Sequence, residues 1–195
     1  MRHKIKTAIL ISGGGSNMEA LINASKARAF PAKIVLVICN QPKAGGIERA
    51  KKLGIPVLVV DHKAFGSREE FEREMHVNLL KHHVELICNA GFMRILTPWF
   101  VRRWLGKQIN IHPSLLPKYK GLHTHKRAIE AGDKEHGCTI HYVNEGVDDG
   151  KILAQARIPL LPTDTPQTLA ERVLIEEHKL YPKTLKRVAM ALRLA

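Results

Sequence analysis

Lys6-Thr7-Ala8-Ile9-Leu10-Ile11-Ser12-Gly13-Gly14-Gly15-Ser16-Asn17-Met18-Glu19-Ala20-Leu21 is a strand-length apolar run, a run of glycines and the first turns of a helical pattern. Strand, glycine turn and helix N-terminus in this order cradle phosphate. Glycines let the backbone approach an anion, and the first amides of the helix point at it. Gly14 and Gly15 supply the close approach, while Ser16 and Asn17 add donors at the helix mouth. The dinucleotide-binding version wants a further glycine where Met18 stands and an acid at the end of the second strand, where this chain has Cys39 and Asn40. There is no GxxxxGK[ST] sequence either, so a single terminal phosphate fits better than a dinucleotide or a nucleoside triphosphate.

Working outward, the strand over Lys6 to Ser12 is followed by strand patterns at Lys33 to Asn40, Val57 to Asp61, Leu86 to Ala90, Lys107 to His112, Cys138 to Val143 and Ile152 to Ile158. Several are unbroken apolar runs, as expected of a parallel sheet covered on both faces. Helical patterns alternate with the first five: Asn17 to Ala29, Ala44 to Leu53, and Ser67 to His82, which opens with a capping box from Ser67 to Glu70. Thr165 and Pro166 start a final helix, with a break or kink expected at Pro182. This alternation predicts an α/β fold with a doubly wound, mostly parallel central sheet and helices on both faces.

In such sheets ligands bind at the carboxyl ends of the strands, which directs attention to Asn110-Ile111-His112-Pro113-Ser114. Residues two apart on a strand share a face, so Ile109 and Ile111 turn into the core while Asn110 and His112 stand together on the other side. Pro113 supplies no N–H and favours an extended His112, so the strand ends there. The loop Gly146-Val147-Asp148-Asp149-Gly150 is rich in acids in a basic protein. One of its aspartates, brought to His112, would complete a proton-handling pair. No GxSxG elbow supports a serine nucleophile. An amide donor, a histidine and a carboxylate without a nucleophile suit direct transfer of a carbonyl group through an oxyanion.

The 11 histidines form no closed ligand set, HEXXH is absent, and no metal is expected. The three cysteines, Cys39, Cys88 and Cys138, lack CxxC spacing and read as buried free thiols. A formal net charge of +13 favours an anionic partner, but the basic groups are scattered and have no interleaved aromatics, so no nucleic-acid partner is expected. No stretch is apolar enough to span a bilayer, and the basic start, Met1 to Lys6, runs straight into a strand; a soluble, cytoplasmic, single-domain protein is expected.

Taken together, Ile11 to Asn17, Ala90 to Leu96, Asn110 to Tyr119, Gly121 to His125 and Glu177-His178 resemble the phosphoribosylglycinamide formyltransferases, folate-dependent transformylases of purine synthesis. The resemblance runs from Ile9 to about Pro182. It implies one domain over 1–195, with about 1–100 as a Rossmann-like phosphate half and about 101–195 as a catalytic and folate-binding half. It implies formyl transfer from 10-formyltetrahydrofolate, as co-substrate, to glycinamide ribonucleotide by a monomer or homodimer. Asn110 would donate to the formyl oxygen, His112 as imidazolium would stabilise the oxyanion, and Asp148 would keep His112 charged and help relay the amine proton through water. Gly14, Gly15, Ser16 and Asn17 would hold the substrate phosphate, Glu177 the ribose or glycinamide portion, and Met93, Arg94, Ile95, Leu96 and Val143 the pterin.

From composition alone, Met93, Ile95 and Leu96 read as core packing after a buried strand, whereas Arg94 among them suits a ring or carboxylate. Two departures stand out: Lys151 follows Gly150 where the family commonly has proline, and the chain stops at Ala195, without the further tail many members have. A methionyl-tRNA formyltransferase would be expected to carry a further domain for tRNA, and a formyltetrahydrofolate hydrolase to use water as acceptor. The cradle Gly15-Ser16-Asn17 discriminates against both.

Overall fold

All seven apolar runs become strands: β1 (Ile5–Ile11), β2 (Ala32–Cys39), β3 (Val57–Val59), β4 (Leu86–Asn89), β5 (Gln108–His112), β6 (Glu135–Tyr142) and β7 (Ile152–Pro159). The computed structural model describes residues 3–194; Met1, Arg2 and Ala195 lie outside the described residues. The strands form one sheet in the order β3-β2-β1-β4-β5-β6-β7. The first five are parallel, and β6 and β7 are added antiparallel at one edge.

Alternation along β1 divides the core in two. Ile9 and Ile11 face a cluster with Met18, Leu21 and Ile22 of α1 (Ser16–Ser25), Ile47 of α2 (Gly45–Lys52) and Leu185 of α6 (Pro166–Leu192). Ala8 and Leu10 face the opposite cluster, with Phe71, Met75 and Leu79 of α3 (Arg68–Lys81) and Phe100 and Val101 of α4 (Pro98–Arg103). The remaining helix, α5, spans Thr124–Glu130. Cys39, Cys88 and Cys138 are buried and free.

Several elements depart from their sequence patterns. α1 stops at Ser25, four residues before Ala29, because the chain must straighten ahead of Pro31 to enter β2. β3 ends at Val59, and Asp61 instead caps a short 3-10 turn over His62–Ala64. Only half of the α3 capping box forms: Ser67 accepts from the Glu70 amide at 3.1 Å, but the Glu70 carboxylate accepts from Gly66, one residue early.

α6 begins as expected, with Thr165 as N-cap and Pro166 in the first turn, yet it continues through Pro182 without a break. Pro182 removes one helical hydrogen bond. Packing on both sides of it, through Tyr181, Leu185 and Val188, keeps the helix against the sheet. The Tyr181 hydroxyl reaches the carbonyls of Asn89 at 2.9 Å and Ile109 at 3.2 Å, so one side chain spans the β4–β5 seam. Burial holds that phenol well above its ordinary pKa, and it remains a neutral donor.

Candidate active site

Asn110 and His112 stand on one face of β5, while Ile109 and Ile111 enter the core on the other. β6 sets His141 opposite Asn110 and Thr139 opposite His112. His141 Nδ1 lies 2.8 Å from the Tyr142 carbonyl, an acceptor only, so the ring proton belongs on that nitrogen. Nε2 lies 3.1 Å from Asn110 Nδ2 and 3.6 Å from the Asp148 carboxylate. The amide is thereby oriented with its second N–H free for another acceptor. His141 was not singled out from sequence, because only the register of β6 against β5 reveals it.

The loop after β6 separates its two acids. Asp149 pairs with Lys120 at the surface, whereas Asp148 turns inward with Oδ2 3.3 Å from His112 Nδ1. The Asp148 backbone is left-handed, with φ 48°, a conformation that aspartate tolerates better than most residues. Its carboxylate also accepts from the Gly121 amide at 2.9 Å and lies 3.6 Å from His141 Nε2. Burial works to raise the Asp148 carboxyl, but His141, the Gly121 amide and His112 outweigh it and hold the group below the ordinary aspartate range.

His112 is buried, with Nε2 2.9 Å from the Tyr119 carbonyl. Burial pushes its imidazole below the ordinary range; the Tyr119 carbonyl and Asp148 favour the charged form, and His141 and Arg127 oppose it. Both ring nitrogens thus face an acceptor, the Tyr119 carbonyl at Nε2 and the Asp148 carboxylate at Nδ1, an arrangement that favours the charged ring while burial opposes it. Removing the negative charge should push the ring pKa down further. Asp148→Asn is expected to lower the His112 pKa, read by NMR titration of the ring protons; an unchanged or raised value would mean that the carboxylate does not act on the ring.

The glycine turn sits at the same sheet edge. Leu10 of β1 pairs with Asn89 of β4, and Asn89 with Asn110 of β5, so the strand end that leads into the turn lies two strand spacings, about 10 Å, from Asn110. A cavity of about 290 Å³ lies over the turn, lined by Ser12 to Asn17, Ala90, Gly91 and Met93. No side chain caps the N-terminus of α1, so its first amides are available to an anion. Gly46 at the start of α2 donates its N–H to the Gly13 carbonyl at 3.0 Å, and a Cβ there would come within 2.7 Å of that oxygen.

Asn17 and Glu177 also line up here, though not as independent groups. Asn17 Nδ2 donates to Glu177 Oε2 at 2.6 Å, and Asn17 Oδ1 has no hydrogen-bond partner. Burial raises the Glu177 carboxyl against the lowering effect of this bond. Donors left free at the turn are thus backbone amides, the Ser16 hydroxyl and the second Nδ2 proton of Asn17.

The segment after β4 does not pack as core throughout. Met93 and Ile95 are 68% and 59% exposed, beside Leu96, which is buried. Arg94 keeps a buried Nε without a partner, and Val143 packs with the Leu96 side of the core. Side chains at 93 and 95 are therefore available to a ligand, as core residues are not.

Comparison with known proteins bears on the reaction. A family model described as formyl transferase matches residues 5–185. A phosphoribosylglycinamide formyltransferase of Haemophilus influenzae is 47% identical over 181 residues, which cover 93% of this chain and 85% of that protein. A trifunctional purine biosynthetic protein adenosine-3 of Drosophila melanogaster is 52% identical over 182 residues; the match takes in 92% of this chain but spans only 14% of that protein's length. The crystal structure of phosphoribosylglycinamide formyltransferase from Brucella melitensis is similar at a TM-score of 0.92 and 49% identity, over 95% of this chain and 96% of that one.

Proposed function

Since the chain belongs to the formyl transferase family, we propose that it moves a formyl group from 10-formyltetrahydrofolate to the primary amine of glycinamide ribonucleotide, in purine biosynthesis. The observation that carries this reading is the meeting of Asn110, His112 and Asp148 at the sheet edge that also holds the glycine-turn cavity. The acceptor's phosphate sits on the amides of Gly14 and Gly15 and on Ser16, with Asn17 and Glu177 closing the wall. The donor's pterin lies against Met93, Ile95, Leu96 and Val143, with Arg94 beside it.

The amine attacks the formyl carbon, and the oxygen becomes an oxyanion facing the free N–H of Asn110 and the His112 ring. The ring takes its positive charge as the oxyanion forms, and Asp148 favours that charge; the proton it carries comes from the attacking amine. Collapse breaks the bond from the formyl carbon to the folate nitrogen, which receives the proton. No enzyme acyl intermediate is required. The chain acts as one domain on small molecules, without nucleic acid, as a monomer or homodimer. Three buried free thiols suit a reducing compartment such as the cytoplasm, and among the described residues no helix is long and apolar enough to cross a membrane.

A rate assay with 10-formyltetrahydrofolate and glycinamide ribonucleotide tests the reading. Formyl transfer dependent on the ribonucleotide is expected, and equal formate release without it would replace transfer by hydrolysis. Ser16→Ala should raise KM for the ribonucleotide about tenfold with kcat little changed, as loss of one hydrogen bond to a charged group implies. An unchanged KM would remove Ser16 from the phosphate site.

A further inference from the structure

From Gly91 to Leu96 the backbone is neither helix nor strand, although it carries the four consecutive residues read above as a wall of the donor pocket. An irregular segment keeps its shape only through what grips it. At the front, Ser12 Oγ accepts from the Met93 amide at 2.8 Å, and the Ser12 amide donates to the Gly91 carbonyl at 3.1 Å. At the back, Glu72 of α3 accepts from the Thr97 amide at 2.7 Å through one carboxylate oxygen and from the Thr97 hydroxyl through the other.

The second grip comes from an unusual place for an acid. Glu72 is 0% exposed, on the helix face that also buries Phe71 and Met75. Burial raises its carboxyl pKa despite the two Thr97 bonds. A leucine would fill such a position without that desolvation cost. Thr97 also gives something up: it is the N-cap residue of α4, yet its hydroxyl bonds Glu72 and caps no α4 amide. Both residues forgo a locally better arrangement, and what they gain is a fixed point where the irregular segment ends. α4 is itself seated on α3, where the His76 ring meets the edges of Trp99 and Trp104.

We infer that Glu72 is a positioning residue for the formyl donor: it clamps Thr97 so that the stretch from Met93 to Leu96 is held open toward the cleft. This rests on the reading of Met93 to Leu96 as the donor pocket. Glu72 touches no reacting group and lies on an element that contributes nothing else to the catalytic centre. Its effect should therefore appear in donor affinity and not in the chemical step.

The test is steady-state kinetics with both substrates on purified Glu72→Ala, Glu72→Gln and Thr97→Val, with Ile95→Ala as a control for the pocket. Glu72→Ala is expected to raise KM for 10-formyltetrahydrofolate about tenfold, while KM for glycinamide ribonucleotide and kcat stay within about twofold. Glu72→Gln keeps an acceptor for the Thr97 amide and should restore much of the loss. Thr97→Val removes one bond without touching α3, so it reports on the clamp even where Glu72→Ala folds poorly. Normal donor KM in the folded Thr97→Val variant and in whatever Glu72→Ala protein folds, with only a lowered melting temperature, would reduce the pair to a structural role and overturn the inference. If donor KM rises in Ile95→Ala but in neither clamp variant, the clamp alone is wrong. If it rises in none of the four, the donor-pocket reading falls with it.

Discussion

His112→Ala is expected to lower kcat/KM for formyl transfer by about 10³-fold, the scale typical of removing a group that both moves a proton and stabilises an oxyanion. The ring cannot be replaced by its neighbours. His141 is engaged by Asn110 and by the Tyr142 carbonyl, and Asp148 supplies only negative charge. Asp148→Ala should cost nearly as much, and the double variant little more than either single one, because groups that act as a unit do not contribute additively. Rate measurements on variants shown by circular dichroism to be folded decide the matter. A folded double variant that turns over at near-normal speed would remove these residues from the chemistry.

Gly150→Ala should reduce kcat by about 10²-fold, the scale of a small misplacement of catalytic groups, although it deletes none of them. A Cβ at position 150 would fall on the Tyr142 carbonyl oxygen and lie 3.3 Å from His141 Nδ1. That carbonyl holds the His141 ring through Nδ1, and Nε2 of the same ring sits 3.1 Å from Asn110 Nδ2. Either the carbonyl or the loop must yield. If the carbonyl moves, the amide of Asn110 loses its alignment; if the loop moves, Asp148, two residues earlier, leaves the imidazole. Both routes reach Asn110 or His112, and neither touches the cavity over the glycine turn. Lys151, which follows, leaves this constraint untouched, since it arises from the glycine itself. A folded Gly150→Ala enzyme with normal kcat would show that the loop tolerates the shift.

The sheet was legible because several strands, β1, β2 and β4 above all, are nearly unbroken apolar runs, and Asn110 and His112 because a period of two and a following proline are local signals. The local pattern left Asp148 and Asp149 equivalent, and only the family resemblance singled out Asp148; in the structure a left-handed backbone at 148 and the Lys120 partner at 149 separate them. α4 and α5, of six and seven residues, carry too few turns to show a periodic stripe. α5 also starts from a left-handed His123 without a side-chain cap, so no capping signal announces it. His141 and Glu72 acquire their roles only from partners 31 and 25 positions away, which no local pattern encodes. Pro182 shows the reverse: the local signal was sound, and packing on either side of it prevailed.

Asn17 and Glu177 meet across 160 positions of chain. During synthesis the glycine turn leaves the ribosome long before the carboxylate that will close its wall has been made. A nascent protein arrested between β7 and the middle of α6 would possess every strand and still lack the Asn17–Glu177 contact on which the proposed acceptor wall depends. Closing so long a loop is entropically costly and slow. Upon refolding, recovery of acceptor binding should therefore trail the return of sheet structure, with docking of the last helix as the interval between them.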